Sequence, residues 1–107
     1  MISVSLKRDA AGRLRRVRVE GHSELAPAGQ DLLCAAVSAI TQTAALGVRQ
    51  FSPDSRVTIR EDGFLELELS GHQASESLQA VVETMLLGLK DLRRDFPEQL
   101  KIEEAQG

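Results

Sequence analysis

The feature that most constrains the fold is a hydrophobic period that switches twice between two residues and a helical repeat. Ile2, Val4 and Leu6 alternate with polar neighbours, and Leu14, Val17 and Val19 continue the theme beyond Asp9-Ala10-Ala11-Gly12, which has turn chemistry. This predicts a hairpin over 2–8 and 13–20. From Asp31 to about Gln50 the pattern changes to Leu, Ala and Val with no glycine before Gly47. Asp31 has the type and place of an N-cap, so the expectation is a helix that is nearly apolar all round and buried. Ser52-Pro53-Asp54-Ser55 ends it. Val57 and Ile59, then Leu65, Leu67 and Leu69, alternate about the turn Glu61-Asp62-Gly63 and predict a second hairpin. Leu78, Val82, Met85, Leu89 and Leu92 then recur at helical spacing, an amphipathic helix over about 75–95 that Pro97 stops. Leu100 and Ile102 alternate with polar residues as a short last strand, with fraying expected over 105–107.

The order is ββαββαβ, an α+β fold with two helices packed on a largely antiparallel sheet. The 107 residues fit one domain, 1–107, because a chain of this length has surface enough for only one core. Each half holds a hairpin, a Gly-His pair (Gly21-His22, Gly71-His72) and a helix, a weak internal repeat. The longest apolar stretch, Leu32 to Ile40, is far shorter than the ~20 residues that cross a bilayer, so no membrane span is expected. The first residues alternate where a signal peptide would be basic and then apolar, which makes the expected location cytoplasmic.

Composition narrows the chemistry. There is one cysteine, Cys34, so an intramolecular disulfide and a multi-thiolate zinc site are both excluded. Trp and Tyr are absent and Phe numbers only three, so no stacking platform for single-stranded nucleic acid is expected. The net charge of −3 is small, but six of the thirteen basic residues, Lys7, Arg8, Arg13, Arg15, Arg16 and Arg18, fall in the first hairpin. That hairpin reads either as a solvated strand face protecting a sheet edge or as a patch that docks on RNA or a ribosomal surface.

His22 ends the second strand, and Cys34 follows twelve residues later in what the N-cap assignment makes the first turn of the long helix. An imidazole close to a thiol assembles a Cys/His nucleophile: the histidine takes the thiol proton and later protonates a leaving amine. A helix start would favour the thiolate, and its unpaired N–H groups would suit an oxyanion. Ser38, one turn on, shares the face of Cys34. The residues alone also allow a core thiol, since Leu-Leu-Cys-Ala-Ala-Val is an ordinary buried helix context. They allow a helix cap at Asp31 and a backbone-bonded Ser38. A metal site of His22, Cys34 and Asp31 has no diagnostic spacing. His72 has no thiol after it and reads as a turn residue.

Gly21-His22-Ser23, a glycine-containing spacer, and Asp31-Leu32-Leu33-Cys34-Ala35-Ala36-Val37-Ser38 together resemble the signature of the ribosomal-processing cysteine protease Prp family, and the likeness extends over essentially the whole chain. The resemblance implies a homodimeric endopeptidase without a cofactor or metal. Its substrate would be the N-terminal extension of a large-subunit ribosomal protein, cut after an aromatic residue, with no nucleic acid or membrane needed for catalysis. It implies Cys34 as nucleophile and His22 as base, with Asp31 and Ser38 in supporting positions. The loop holding Gly21, Ser23, Pro27 and Gly29 would close over substrate. Ser23 stands where Ala is usual, and Pro27 stiffens the loop. A different class of function, a non-enzymatic ribosome-associated binding module using the basic hairpin, is the alternative.

Overall fold

The computed structural model describes residues 1–21, 28–61, 63–69 and 76–106, with the backbone alone for 28–31 and 106. Its elements are β1 (Ile2–Arg8), β2 (Leu14–Glu20), α1 (Ala28–Phe51), β3 (Arg56–Arg60), β4 (Phe64–Glu68), α2 (Glu76–Asp95) and β5 (Leu100–Gln106). The strands form one sheet in the order β3-β4-β2-β1-β5, antiparallel at every junction except the parallel β1–β5 pair. The α+β class and the ββαββαβ order are as the alternating periods predict.

Strand alternation sends Ile2, Val4 and Leu6, Leu14, Val17 and Val19, and Leu65, Leu67 and Leu69 into one core. Leu33, Val37, Ala44, Ala45 and Val48 of α1 and Leu78, Val82, Met85, Leu86 and Leu89 of α2 complete it. Pattern fails at one place. Between Lys7 and Arg8 the register slips: Lys7 faces Arg16 but Arg8 faces Leu14, which leaves Arg15 as a bulge. The bulge exposes the Leu14 backbone to α2, where the Gln79 carboxamide accepts from Leu14 N–H (2.8 Å) and donates to Leu14 C=O (3.0 Å). At the hairpin tip Asp9 Oδ1 accepts from the N–H groups of Ala11 (2.9 Å) and Arg13 (3.1 Å), and Gly12 takes φ +83°.

Several expectations are corrected. Helix α1 starts at Ala28, three residues before Asp31, so Asp31 lies inside the helix and is not its cap. Gly29, expected in the loop, also belongs to the first turn. The helix is not buried all round: Leu32, Leu46 and Phe51 are exposed, because only one stripe can face the sheet. Leu32–Phe51, at mean hydropathy 1.4, is long and apolar enough to cross a membrane by length and composition. Counting an unbroken apolar run missed this because Ser, Thr, Gln and Gly interrupt the run without adding charge. In the fold, its Leu33–Val48 stripe is core.

The basic hairpin does not protect an edge, since β1 and β2 are interior strands and the edges are β3 and β5. Strand β5 runs on through Ala105 and Gln106, beside Lys7 and Arg8, where fraying was expected. His72 falls outside the described residues.

Candidate active site

The two hairpins bring their glycines together at one end of the sheet. Gly21 N–H donates to Gly63 C=O at 3.0 Å, and Gly21 adopts φ +98°, a left-handed conformation natural to glycine. A Cβ there would overlap the carbonyl oxygen of Met1, so both backbone angle and space demand glycine at the residue before His22.

Beside this junction lies a small cleft of about 90 Å³ between α1 and the sheet. Cys34, Ser38 and Thr41 line it from the helix, Gly21 and Gly63 from the strand ends, and Ile59 and Leu65 from the second hairpin. Cys34 is half-buried, packs against the core and is in no disulfide. Ser38 is exposed on the same wall, as the one-turn spacing predicts. The Thr41 hydroxyl donates to Val37 C=O at 2.8 Å, so its hydrogen is committed within the helix.

Residues 59, 60, 64 and 65 show how the hairpin divides its labour. Ile59 and Leu65 are register partners on the helix side, whereas Arg60 and Phe64, which also line the cleft, are partners that alternation turns to the opposite face, where the Arg60 guanidinium stacks 4.0 Å from the Phe64 ring centroid. On that face Arg18 pairs with Glu66 at 2.8 Å. Burial pushes the Glu66 carboxyl up, but hydrogen bonds, above all from Arg18, outweigh it and hold the group below its ordinary value.

The earlier start of α1 changes the electrostatics expected at the thiol. Cys34 lies in the second turn, past the N–H groups that lack intrahelical acceptors and where the dipole has largely fallen off. The helix terminus therefore does not supply Cys34 with the oxyanion donors that an Asp31 cap would have implied. His22, Ser23, Pro27 and the Asp31 side chain lie outside the described residues; among those that are described, no three His, Cys, Asp or Glu side chains gather as a metal site.

A half-buried thiol thus lines a cleft beside Gly21, the residue that precedes His22 in the sequence. The family model of Cysteine protease Prp matches residues 1–101. The chain belongs to the Prp cysteine protease family. The ribosomal processing cysteine protease Prp of Bacillus subtilis (strain 168) is 28% identical over 109 residues, covering 95% of this chain and 96% of that one. That of Staphylococcus aureus is 24% identical over 105 residues, covering 95% and 97%. The S. aureus Prp crystal structure with a substrate peptide superposes with a TM-score of 0.85 at 18% identity, covering 98% of this chain and all of that one. A Streptococcus mutans crystal structure superposes with a TM-score of 0.83 at 24% identity, covering 100% and 96%. At such identities these likenesses show a shared Prp fold.

Sequence motifs mark the helix wall of this cleft, Cys34 and Ser38, but not Ile59, Leu65 and Thr41. Ile59 and Leu65 were visible as inward positions of an alternating hairpin. What placed them at the thiol is the β2–β4 pairing, a long-range contact with no local signal.

Proposed function

We propose that this member of the family is the endopeptidase that removes the N-terminal extension of a large-subunit ribosomal protein, cutting after an aromatic residue. The observation that carries the reading is the position of Cys34, half-buried on the wall of a cleft whose rim holds Gly21, the residue before His22. The naming of the B. subtilis and S. aureus relatives supports ribosomal processing as the setting. The apolar floor of Ile2, Val19, Val37 and Leu65, with Ile59 41% exposed, supports an apolar or aromatic substrate side chain.

In this mechanism His22 takes the proton of the Cys34 thiol, and the thiolate attacks the scissile carbonyl carbon. The tetrahedral intermediate collapses with cleavage of the C–N bond, His22 passing the proton to the leaving amine. Water, deprotonated by His22, then hydrolyses the thioester and restores the thiol. Ser38 and Asp31 support the site, and the segment with Gly21, Ser23 and Pro27 closes over the peptide. Pro27 limits how far that segment can flex. The reaction needs no cofactor.

The working protein is a cytoplasmic homodimer of this one domain, 1–107. Its association is supported by an apolar groove of about 790 Å³ between α1 and α2, lined by Ile40, Thr43, Gly47, Val81, Thr84 and Gly88 on the side away from the sheet. Exposed Leu46 and Leu87 lie one turn on from Thr43 and Thr84.

A peptide carrying the extension and the first mature residues, followed by mass spectrometry, tests the activity. Cleavage C-terminal to an aromatic residue is the expected result; an intact peptide, or cleavage indifferent to replacing the aromatic residue by Ala, overturns the assignment.

A further inference from the structure

The far end of the first hairpin carries charge that the protease chemistry does not use. Of its six cations, Arg8 is bound by Glu83 (2.6 Å) and Glu104 (3.4 Å), Arg13 by Asp9 (3.3 Å) and Arg18 by Glu66 (2.8 Å). Lys7, Arg15 and Arg16 make no ion pair among the described residues. All three line one concavity of about 380 Å³, whose carboxylates are Asp9, already held by Arg13, and Glu68, the register partner of Arg16.

Two details of the fold concentrate that charge. Lys7 and Arg16 are direct cross-strand partners, and like charges placed opposite one another destabilise a sheet. The bulge makes Arg15 the extra residue between buried Leu14 and Val17, so two consecutive arginines face away from the core where a regular strand would turn one of them inward. Gln79 locks this arrangement by satisfying both backbone groups of Leu14. The sheet thus accepts a repulsive pair and an irregular register, and the product of both is a cluster of three cations.

We propose that Lys7, Arg15 and Arg16 form a phosphate-binding site that docks the protein on an RNA backbone. Two guanidinium forks and an ammonium suit the non-bridging oxygens of phosphodiesters, and arginine engages such oxygens in pairs. The site is an open concavity, with Lys7 and Arg16 exposed, which fits a chain of phosphates better than an enclosed small anion. With no aromatic side chain lining the concavity, docking would read the backbone and no base sequence. The overall charge of −3 does not oppose this, because salt confines its field to about 10 Å and the local cluster decides the contact. The choice of RNA rests on the ribosomal reading above; the oxyanion site itself does not.

The test is fluorescence anisotropy of a labelled single-stranded RNA against salt, with Lys7→Gln/Arg15→Gln/Arg16→Gln and the single variant Arg16→Gln, alongside turnover of the ribosomal extension peptide. Each phosphate contact contributes about 0.7 to the slope of log affinity on log salt for a single strand, so the triple variant should lose about 2 of that slope. Arg16→Gln, at an exposed position, should lose about 0.7 while keeping its fold, and peptide turnover should match the parent in both. No RNA binding by the parent, or an unchanged slope in both variants, overturns the proposal. So does inorganic phosphate binding without RNA binding, or poly-glutamate binding as well as RNA, which would point to an acidic protein partner. RNA binding without peptide cleavage would leave this site standing and remove the ribosomal-extension reading instead.

Discussion

Gly21 is the residue on which the site's geometry turns. It holds a left-handed φ, closes the two hairpins through Gly63 and leaves no room for a side chain beside Met1. Gly21→Ala should therefore cost at least about 1–3 kcal/mol from backbone strain alone, read in urea unfolding, and peptide turnover should fall with it. Stability within a few tenths of the parent would contradict the assignment. Gln79 is the second such residue: Gln79→Ala strands Leu14 N–H and C=O and should cost about 1–3 kcal/mol, with amide exchange at Leu14 accelerated. Neither role was legible in the sequence. Gly21 read as part of a Gly-His pair and a closing loop, and Gln79 as one polar residue on an amphipathic helix, because both structural roles depend on atoms twenty or more residues away. Cys34 and Ser38 were legible, because both the one-turn spacing and the Prp signature are local.

At the scale of elements, the alternating period revealed every strand and both helices, yet helix boundaries and bulges escaped it. The start of α1 was misplaced because Asp31 is a strong cap type and Ala28-Gly29-Gln30 carries no apolar stripe, whereas the helix extends through it. The helices meet through small residues: a Cβ on Gly47 would come 3.1 Å from Val81 Cγ1, and one on Gly88 3.4 Å from Ile40 Cδ1. Gly88→Ala should be stabilising by a few tenths of a kcal/mol up to about 1, since it removes backbone entropy in the unfolded chain and finds ordinary contact distance. Gly47→Ala gains the same propensity but must push Val81 aside. Thermal melts should rank Gly88→Ala above Gly47→Ala; the reverse order would show that α1 and α2 pack differently.

For the whole molecule, the acid side of the stability profile is set by depressed carboxylates. Burial raises Asp9, but the backbone N–H groups of Arg13 and Ala11 together with the Arg13 guanidinium outweigh it, and Glu66 is held down by Arg18 against its own burial. Groups depressed in the folded state stabilise it above their unfolded values near pH 4 and lose that contribution as pH falls through the lower folded values. Arg18→Ala should thus destabilise near neutrality and converge on the parent in acid, checked by urea unfolding across pH; a gap that widens in acid would refute the pairing. Topology was foreseeable in order but not in arrangement, since no local pattern shows that β5 joins β1 in parallel and leaves β3 at the edge beside the cleft. In the proposed function one thiol, Cys34, cuts a ribosomal extension, and turnover of the extension peptide by the parent and by Cys34→Ala of unchanged circular dichroism decides it. Cleavage after an aromatic residue by the parent and none by Cys34→Ala is the expected result; equal turnover by both would overturn the proposal.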